Sequence, residues 1–158
     1  MTADAEISAR HPQENPPTRK PIGIIGASSV VAEYLTQVLP VQYRPLLFSR
    51  SAPEGQTTGV AEATVPLWIS VMPIWATPNY FDLFLVRGAR RVVALSSTSR
   101  FTKAESPIES ERLVAAQLAE GERAFKQWAS ACGVDFLILR PTIIYGRGRD
   151  LNLSLIAR

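Results

Sequence analysis

The residues most suited to chemistry form a turn of small side chains near the start of the chain. An apolar run at residues 22–25 leads into Gly26, Ala27, Ser28 and Ser29, and a helical pattern follows. A strand, a tight turn and a helix in this order leave unpaired backbone N–H groups at the helix N-terminus, where they favour a pyrophosphate. The pattern predicts a phosphate-binding turn, although an ordinary strand–turn–helix without a ligand accounts for it equally well.

The turn departs from the full dinucleotide-binding pattern at two positions. That pattern has three glycines, which allow the tight turn, the close approach of the backbone to phosphate, and the close packing of helix on strand. The corresponding residues here are Gly26, Ser29 and Ala32. Ser29 places a side chain where the backbone should approach phosphate, but its hydroxyl could donate a hydrogen bond. Ala32 adds only one methyl group.

The composition fits one globular domain and excludes several classes of protein. The chain has 158 residues, of which 46% are hydrophobic and 20% charged, as in a folded domain. The net charge of +3 comes without a basic stripe, so we expect no nucleic-acid partner. The single cysteine excludes an internal disulfide framework and a multi-cysteine zinc site. Because no segment resembles a membrane span or a signal peptide, we expect a cytoplasmic protein without a membrane partner.

Alternating strands and helices predict a parallel sheet that is covered on both faces. The apolar runs predict strands at residues 22–26, 45–49, 67–72, 91–96 and 134–139. Between them we expect helices at residues 28–39, 77–86 and 106–132 and a polar loop at residues 97–105.

Several residues predict how these helices begin and end. Thr77 before a proline is typical of an N-cap, and Ser106 with Glu109 matches a capping box. Within the long helix Gly121 predicts a bend, and Gly133 predicts its end.

Two stretches fall outside this alternation. Residues 1–20 are polar and contain three prolines, which predicts a disordered leader before a domain at residues 21–158. The stretch between Arg50 and Leu67 is too short for a helix, a strand and a second helix. Either a third strand is a stub near residues 60–65, or the crossover has been trimmed.

Three blocks together resemble a known family. They are the turn and helix at residues 26–35, the strand ending in Ser-Ser-Thr-Ser at residues 91–99, and Leu-Arg-Pro-Thr-Ile-Ile-Tyr-Gly at residues 139–146. In this order they resemble the extended and atypical short-chain dehydrogenases/reductases, in particular the NAD-dependent epimerase/dehydratase family that acts on nucleotide sugars. The resemblance covers about residues 21–150. It implies a Rossmann-type, doubly wound sheet with NAD or NADP at the carboxyl ends of the strands.

The resemblance also implies which residues contact the cofactor. The four turn residues from Gly26 to Ser29 would face the pyrophosphate. Arg50 stands where a member that prefers NAD has an acid, and an arginine there could pair with a 2′-phosphate. This favours NADP over NAD, although a solvent-exposed arginine is an equal alternative. Met72-Pro73 and Pro141-Thr142 would line the nicotinamide side.

The catalytic pair of the family is absent. Its enzymes use a tyrosine with a lysine four residues on, early in the long helix, but that region here contains Val114 and Leu118. None of the four tyrosines is followed by lysine at that spacing. The remaining catalytic candidates are Ser97 and Thr98, where the family has a substrate-binding hydroxyl, and Lys103 in the next loop.

The family also has a smaller substrate-binding lobe after the last block, whereas this chain ends at Arg158. The resemblance therefore implies no complete substrate lobe, and a homodimer or a partner chain could cover the exposed apolar residues. Two functions remain open. The chain is an NAD(P)-dependent oxidoreductase or nucleotide-sugar epimerase, or a fragment of one, with weak or no turnover. Alternatively, it is a non-catalytic module that binds a dinucleotide or another protein.

Overall fold

A computed structural model describes residues 19–49, 64–142 and 144. Its five strands are β1 (Lys20–Ile25), β2 (Tyr43–Phe48), β3 (Leu67–Ser70), β4 (Arg91–Leu95) and β5 (Asp135–Leu139). They form one sheet in the order β2-β1-β3-β4-β5, and every neighbouring pair is parallel. The predicted strands and the parallel sheet are confirmed, but β1 begins two residues earlier than predicted.

The helices alternate with these strands. They are α1 (Val30–Val38), a 3₁₀ helix (Ile74–Tyr80), α2 (Phe81–Val86), α3 (Ser99–Thr102) and α4 (Glu109–Cys132). The short helix α3 lies within residues 97–105, where the sequence predicts only a loop. None of the described helices is long and apolar enough to cross a membrane.

Both faces of the sheet are covered, as the doubly wound arrangement requires. On one face Trp68, Phe84 and Phe125 form the centre of the main core, where Trp68 contacts the Phe84 ring edge-on. On the other face Ala32 of α1 packs with Ile24 and Val71. The sheet is thus the middle layer between α1 and the remaining helices.

The structure describes only the two ends of the connection between β2 and β3. β3 pairs directly with β1, with Ile24 opposite Ile69, so no strand lies between them. Thr64 and Val65 lie outside any strand, and residues 60–63 of the predicted stub fall outside the described residues. The choice between a stub strand and a trimmed crossover therefore stays a prediction.

The start of the second predicted helix is wrong. Thr77 lies inside the 3₁₀ helix, which begins at Ile74 after Pro73. Its Oγ1 is 3.1 Å from the Oγ of Ser70, and both side chains are fully buried. Thr77 therefore hydrogen-bonds to the Ser70 hydroxyl on β3, because a buried hydroxyl needs a hydrogen-bond partner.

The predicted capping box is also wrong, because Ser106 pairs with a glutamate other than Glu109. The N-cap of α4 is Ile108, which makes no side-chain capping bond. Ser106 Oγ instead accepts the N–H of Ile108 at 3.2 Å and donates to Glu111 at 2.6 Å. The serine still orders the start of α4, with a glutamate two residues further along than predicted.

Gly121 does not bend α4, which runs unbroken through 24 residues. A Cβ atom at Gly121 would lie 2.7 Å from the backbone N and Cα of Trp75, so glycine is required for the close approach of the 3₁₀ helix. The predicted end at Gly133 is confirmed, since its φ of 64° is the left-handed conformation of a helix C-cap.

Candidate functional site

A cavity of about 560 Å³ opens at the carboxyl edge of the sheet. The chain leaves β1 to form β2 on one side and later returns to form β3 on the other. Loops after neighbouring strands diverge at such a switch point, and ligands of open α/β sheets bind in the crevice between them. The cavity lies there, with walls from the segments after β1, β2 and β3.

The first wall of the cavity is the predicted turn, and Gly26 supplies the backbone conformation of that turn. Gly26 has a φ of 92°, which side chains rarely adopt, and a Cβ there would lie 3.0 Å from the N of Met72. Gly26, Ser28 and Ser29 line the cavity, whereas Ala27 does not. Three of the four predicted turn residues therefore face the crevice.

The backbone N–H groups of the turn divide into two sets. Those of Gly26 and Ala27 both donate to Phe48 O at 3.1 Å, and that of Ser29 donates to Gly26 O at 2.9 Å. Within the described residues no partner accepts the N–H groups of Ser28, Val30 and Val31. The available donors thus lie at Ser28 and in the first turn of α1, one step further along than the sequence pattern predicts.

Ser29 replaces the second glycine of the pattern and caps α1. It is the N-cap, and its Oγ accepts the N–H of Ala32 at 3.1 Å. Accepting leaves the hydroxyl hydrogen able to donate toward the cavity. Ala32, in place of the third glycine, is buried against the sheet, where its small side chain keeps α1 close.

Replacing Ser29 with alanine is expected to lower the free energy of unfolding by about 1 kcal/mol, because the Ala32 N–H loses its acceptor. Ser29→Gly is expected to lower the free energy of unfolding by only a few tenths of a kcal/mol, since glycine is tolerated at N-caps. Urea denaturation of the two variants beside the wild type measures the difference. Equal losses for alanine and glycine would contradict the capping role.

The second wall comes from the segment after β3. Met72 and Pro73 line the cavity, as the resemblance implies for cofactor contacts. Trp75, Asn79 and Tyr80 of the 3₁₀ helix line it too, and sequence reasoning named none of them as site residues. The proline at position 73, which precedes the 3₁₀ helix, is the signal that could have found them.

The third wall is Ser49, directly after β2. Arg50, the candidate for pairing with a 2′-phosphate, is the next residue but lies outside the described residues. The NADP preference stays a prediction.

The other predicted site residues lie together at the ends of β4 and β5, and none lines the cavity. The N–H of Thr98 donates to Pro141 O at 3.2 Å, which joins the two strand ends, and Thr142 is exposed. Ser97 Oγ accepts the N–H of Ser99 at 3.1 Å. Lys103 Nζ lies 3.0 Å from Glu111 Oε1, so this lysine is ion-paired.

The helix region expected for the catalytic pair has apolar side chains at Val114 and Leu118. Leu118 is only 4% exposed and belongs to the main core, whereas Val114 is partly exposed. Because α4 is described over its whole length, the tyrosine–lysine pair of the family is absent from it.

A buried carboxylate beside these strand ends escaped sequence reasoning. Glu122 on α4 is 1% exposed. Its oxygens accept from Ser96 Oγ at 2.7 Å and from Nε and Nη2 of Arg140, both at 2.7 Å, and Arg100 also donates to it. The cluster fastens α3, α4 and the ends of β4 and β5 to one another. No local spacing in the sequence connects these residues, since only the fold brings them together.

The pKa of Glu122 reflects opposing effects. Burial raises it, but hydrogen bonds from Arg140 and Ser96 and the positive charges of Arg100 and Arg140 outweigh the burial. The net pKa lies below the ordinary value of 4.5, so the carboxylate stays ionised in the folded protein at neutral pH.

No protein-family model matches the sequence, and no curated protein matches it significantly. Among solved structures the chain is similar to the capsular polysaccharide assembling protein CapF of Staphylococcus aureus. The TM-score is 0.57 with 17% identity, over 84% of this chain and 37% of CapF. It is also similar to the protein DdhaC, with a TM-score of 0.59 and 15% identity, over 87% of this chain and 50% of DdhaC.

The sheet order and these two matches agree. The chain has a Rossmann-like fold. This Rossmann-like domain spans half or less of the length of CapF and DdhaC. A short-chain dehydrogenase/reductase from Veillonella parvula matches at a TM-score of 0.48 and 16% identity, over 82% of this chain and 72% of that protein.

Proposed function

We propose that this chain is an NAD(P)-binding protein of the epimerase/dehydratase kind, with the dinucleotide in the cavity at the switch point. The observation that carries the proposal is the position of the N–H groups of Ser28, Val30 and Val31, which have no acceptor among the described residues. They stand at the N-terminus of α1, beside the turn that lines the cavity. Backbone donors at a helix N-terminus favour a pyrophosphate through both hydrogen bonds and the helix dipole.

The remaining walls suit the rest of a dinucleotide. Gly26 gives the backbone room at the turn that a side chain would fill. Trp75 and Tyr80 offer aromatic surface, which packs well against a flat base. Ser29 adds a hydroxyl donor next to the free amides. The residues present therefore fit the group.

We further propose that turnover is weak or absent. Bound NAD(P) supplies hydride transfer, but the chain must supply the group that moves the substrate proton. Ser97 Oγ accepts the N–H of Ser99 and Lys103 is paired with Glu111, while Leu118, in the helix region where the family has its catalytic pair, lies within the core. A hydroxyl without a neighbouring base is a poor proton acceptor at neutral pH. The non-catalytic alternative thus has support from the side-chain contacts.

The finer parts of the proposal rest on the resemblance. Nucleotide sugars are the proposed ligand class beside the dinucleotide, and NADP is preferred over NAD through Arg50. The name of CapF, a capsular polysaccharide assembling protein, is compatible with sugar chemistry. A cytoplasmic homodimer, or a partner chain that covers the exposed apolar residues, completes the proposal.

Thermal unfolding with and without NADP or NAD tests binding. A ligand that binds only the folded state stabilises it by about 2.7 kcal/mol at one hundred times its Kd, so the midpoint should rise. Gly26→Ala should remove this rise, because the new methyl group and a strained φ disturb the turn. No rise with either dinucleotide at millimolar concentration would reject the proposal and favour a protein-interaction module.

Gly133→Ala is the matched control for that variant. Gly133 also has a positive φ, but a Cβ there would meet nothing within 4 Å, and it does not line the cavity. Both variants should lose about 1–2 kcal/mol of stability from the positive-φ backbone. Gly26→Ala should lose more, because its Cβ would lie 3.0 Å from the N of Met72, and only Gly26→Ala should lose binding. Absorbance at the reduced nicotinamide band, with nucleotide sugars added, then tests turnover, and measurable hydride transfer would contradict the non-catalytic part.

A further inference from the structure

Arg100 and Arg140 form a pair of cations around one acid. Both guanidinium groups donate to the Glu122 carboxylate. Each arginine carries one positive charge at every pH of interest, so the three side chains have a net charge of +1. A cluster that holds two cations and one anion attracts a second anion.

Each arginine keeps donors that Glu122 does not use. Arg140 uses Nε and Nη2, which leaves Nη1, and Arg100 uses Nη1, which leaves Nε and Nη2. Within the part of the chain that the structure describes, these atoms have no acceptor. The two side chains are 27% and 29% exposed, so the unused donors are accessible to a solute.

The orientation of the arginine pair is fixed before any ligand arrives. Glu122 binds both guanidinium groups from the buried side. The ring of Phe101 lies beneath them, with its centroid 5.0 Å from Cζ of Arg100 and 5.8 Å from Cζ of Arg140. Such cation–π contacts hold a guanidinium group in place, and a fixed side chain loses little entropy when an anion binds.

We propose that Arg100 and Arg140 form a binding subsite for an oxyanion, a phosphate or carboxylate group of a small molecule. Planar guanidinium donors match the oxygens of both groups. Arg100 lies in α3 after β4, and Arg140 directly follows β5, so the subsite is at the same edge of the sheet as the cavity, on its β4–β5 side. The exposed ring of Phe101 adds an apolar surface beside the anion. This subsite does not depend on dinucleotide binding.

Nuclear magnetic resonance of the arginine Nε–Hε groups tests the subsite in the whole chain. Inorganic phosphate and acetate are titrated separately at constant ionic strength, with chloride as the replaced ion. The Arg100 signal should move and saturate with phosphate, and less strongly with the singly charged acetate. Arg100→Gln should weaken phosphate binding at least tenfold, followed on the Arg140 signal, since a hydrogen bond to a charged group is lost. Glu122 keeps Arg140 and Ser96 in that variant, so the fold should persist.

Arg123→Gln is the matched control. Arg123 is an exposed arginine on α4 that also pairs with a glutamate, Glu120, so its removal lowers the net charge by the same amount. It should leave phosphate binding within twofold of the wild type. Equal weakening by both variants would show a general charge effect and overturn the subsite, as would unchanged arginine signals in both titrations. Binding of NADP or NAD by Arg100→Gln, measured by thermal unfolding, is expected to persist, so failure of one proposal can be told from failure of the other.

Discussion

Glu122→Gln is expected to lower the free energy of unfolding by about 3 kcal/mol. Removing one partner of a buried ion cluster costs about 3–5 kcal/mol, because the remaining charges stay partly buried without compensation. Arg100 and Arg140 are partly exposed and regain some hydration, which places the expected loss at the lower end. Urea denaturation followed by circular dichroism measures it.

Glu120→Gln is the control for this loss. Glu120 lies two residues away on the same helix and pairs with Arg123, but both side chains are more than half exposed. An exposed ion pair contributes about 0–1 kcal/mol, so this variant should stay close to the wild type. If the two glutamine variants lost equal stability, Glu122 would have no special structural role.

The lowered pKa of Glu122 gives this prediction a pH dependence with a definite sign. A carboxyl group with a lower pKa in the folded state contributes stability that is fully present above its unfolded-state pKa. That contribution is lost as pH falls through the folded-state pKa, which lies below 4.5. The difference in stability between wild type and Glu122→Gln should therefore be constant near neutral pH and shrink below about pH 4.5. The lowered pKa values of Glu111 and Glu120 act in both proteins and cancel in this difference.

Local patterns predicted the elements of the fold well. The apolar runs located all five described strands, and Gly133 gave the end of α4 within a residue, because strand burial and a left-handed C-cap depend on adjacent residues. The turn at Gly26 was predictable for the same reason. A positive φ favours glycine through local backbone sterics, whatever distant parts of the chain contact it.

The parts that failed depend on distant contacts. Thr77 has the local signature of an N-cap, but a buried partner on β3, Ser70, places it inside the 3₁₀ helix. Gly121 has the local signature of a bend, but it is glycine because Trp75 lies against it. Glu122 and its two arginines are far apart in sequence, so their cluster exists only after β4, β5 and α4 have packed. The part of the candidate site formed by the turn at Gly26 could therefore be predicted from the sequence, and the part formed by the 3₁₀ helix could not.

The carboxyl edge of this sheet thus has two distinct parts. On the side of β1 and β3, a glycine turn and free amides leave an open cavity. On the side of β4 and β5, where the resemblance predicts proton transfer, the α4 side chains Leu118 and Glu122 instead fill the core and bind arginines. The same helix that lacks the tyrosine–lysine pair carries the acid that orients the arginine pair. This division of the edge supports the proposal of binding with weak or no turnover.

Gly121→Ala is expected to lower the free energy of unfolding by about 2 kcal/mol and to weaken dinucleotide binding. Its methyl group would lie 2.7 Å from backbone atoms of Trp75, and overpacking of this kind costs about 1–3 kcal/mol. The higher helix propensity of alanine stabilises the variant by up to about 1 kcal/mol, so only a severe clash gives a net loss of stability. Relief requires the whole 3₁₀ helix to move, since the clash is with its backbone.

Because Trp75 and Tyr80 of that helix line the cavity, the movement should reach the binding site without any change to a residue that contacts the dinucleotide. Ser130→Ala, at an exposed position of α4, should change stability by no more than about 0.5 kcal/mol and leave binding intact. Thermal unfolding with and without NADP reports both quantities for each variant. If Gly121→Ala were more stable than the wild type, the helix propensity of alanine would outweigh the steric cost of its methyl group. The position of the 3₁₀ helix beside the cavity would then not depend on glycine at position 121.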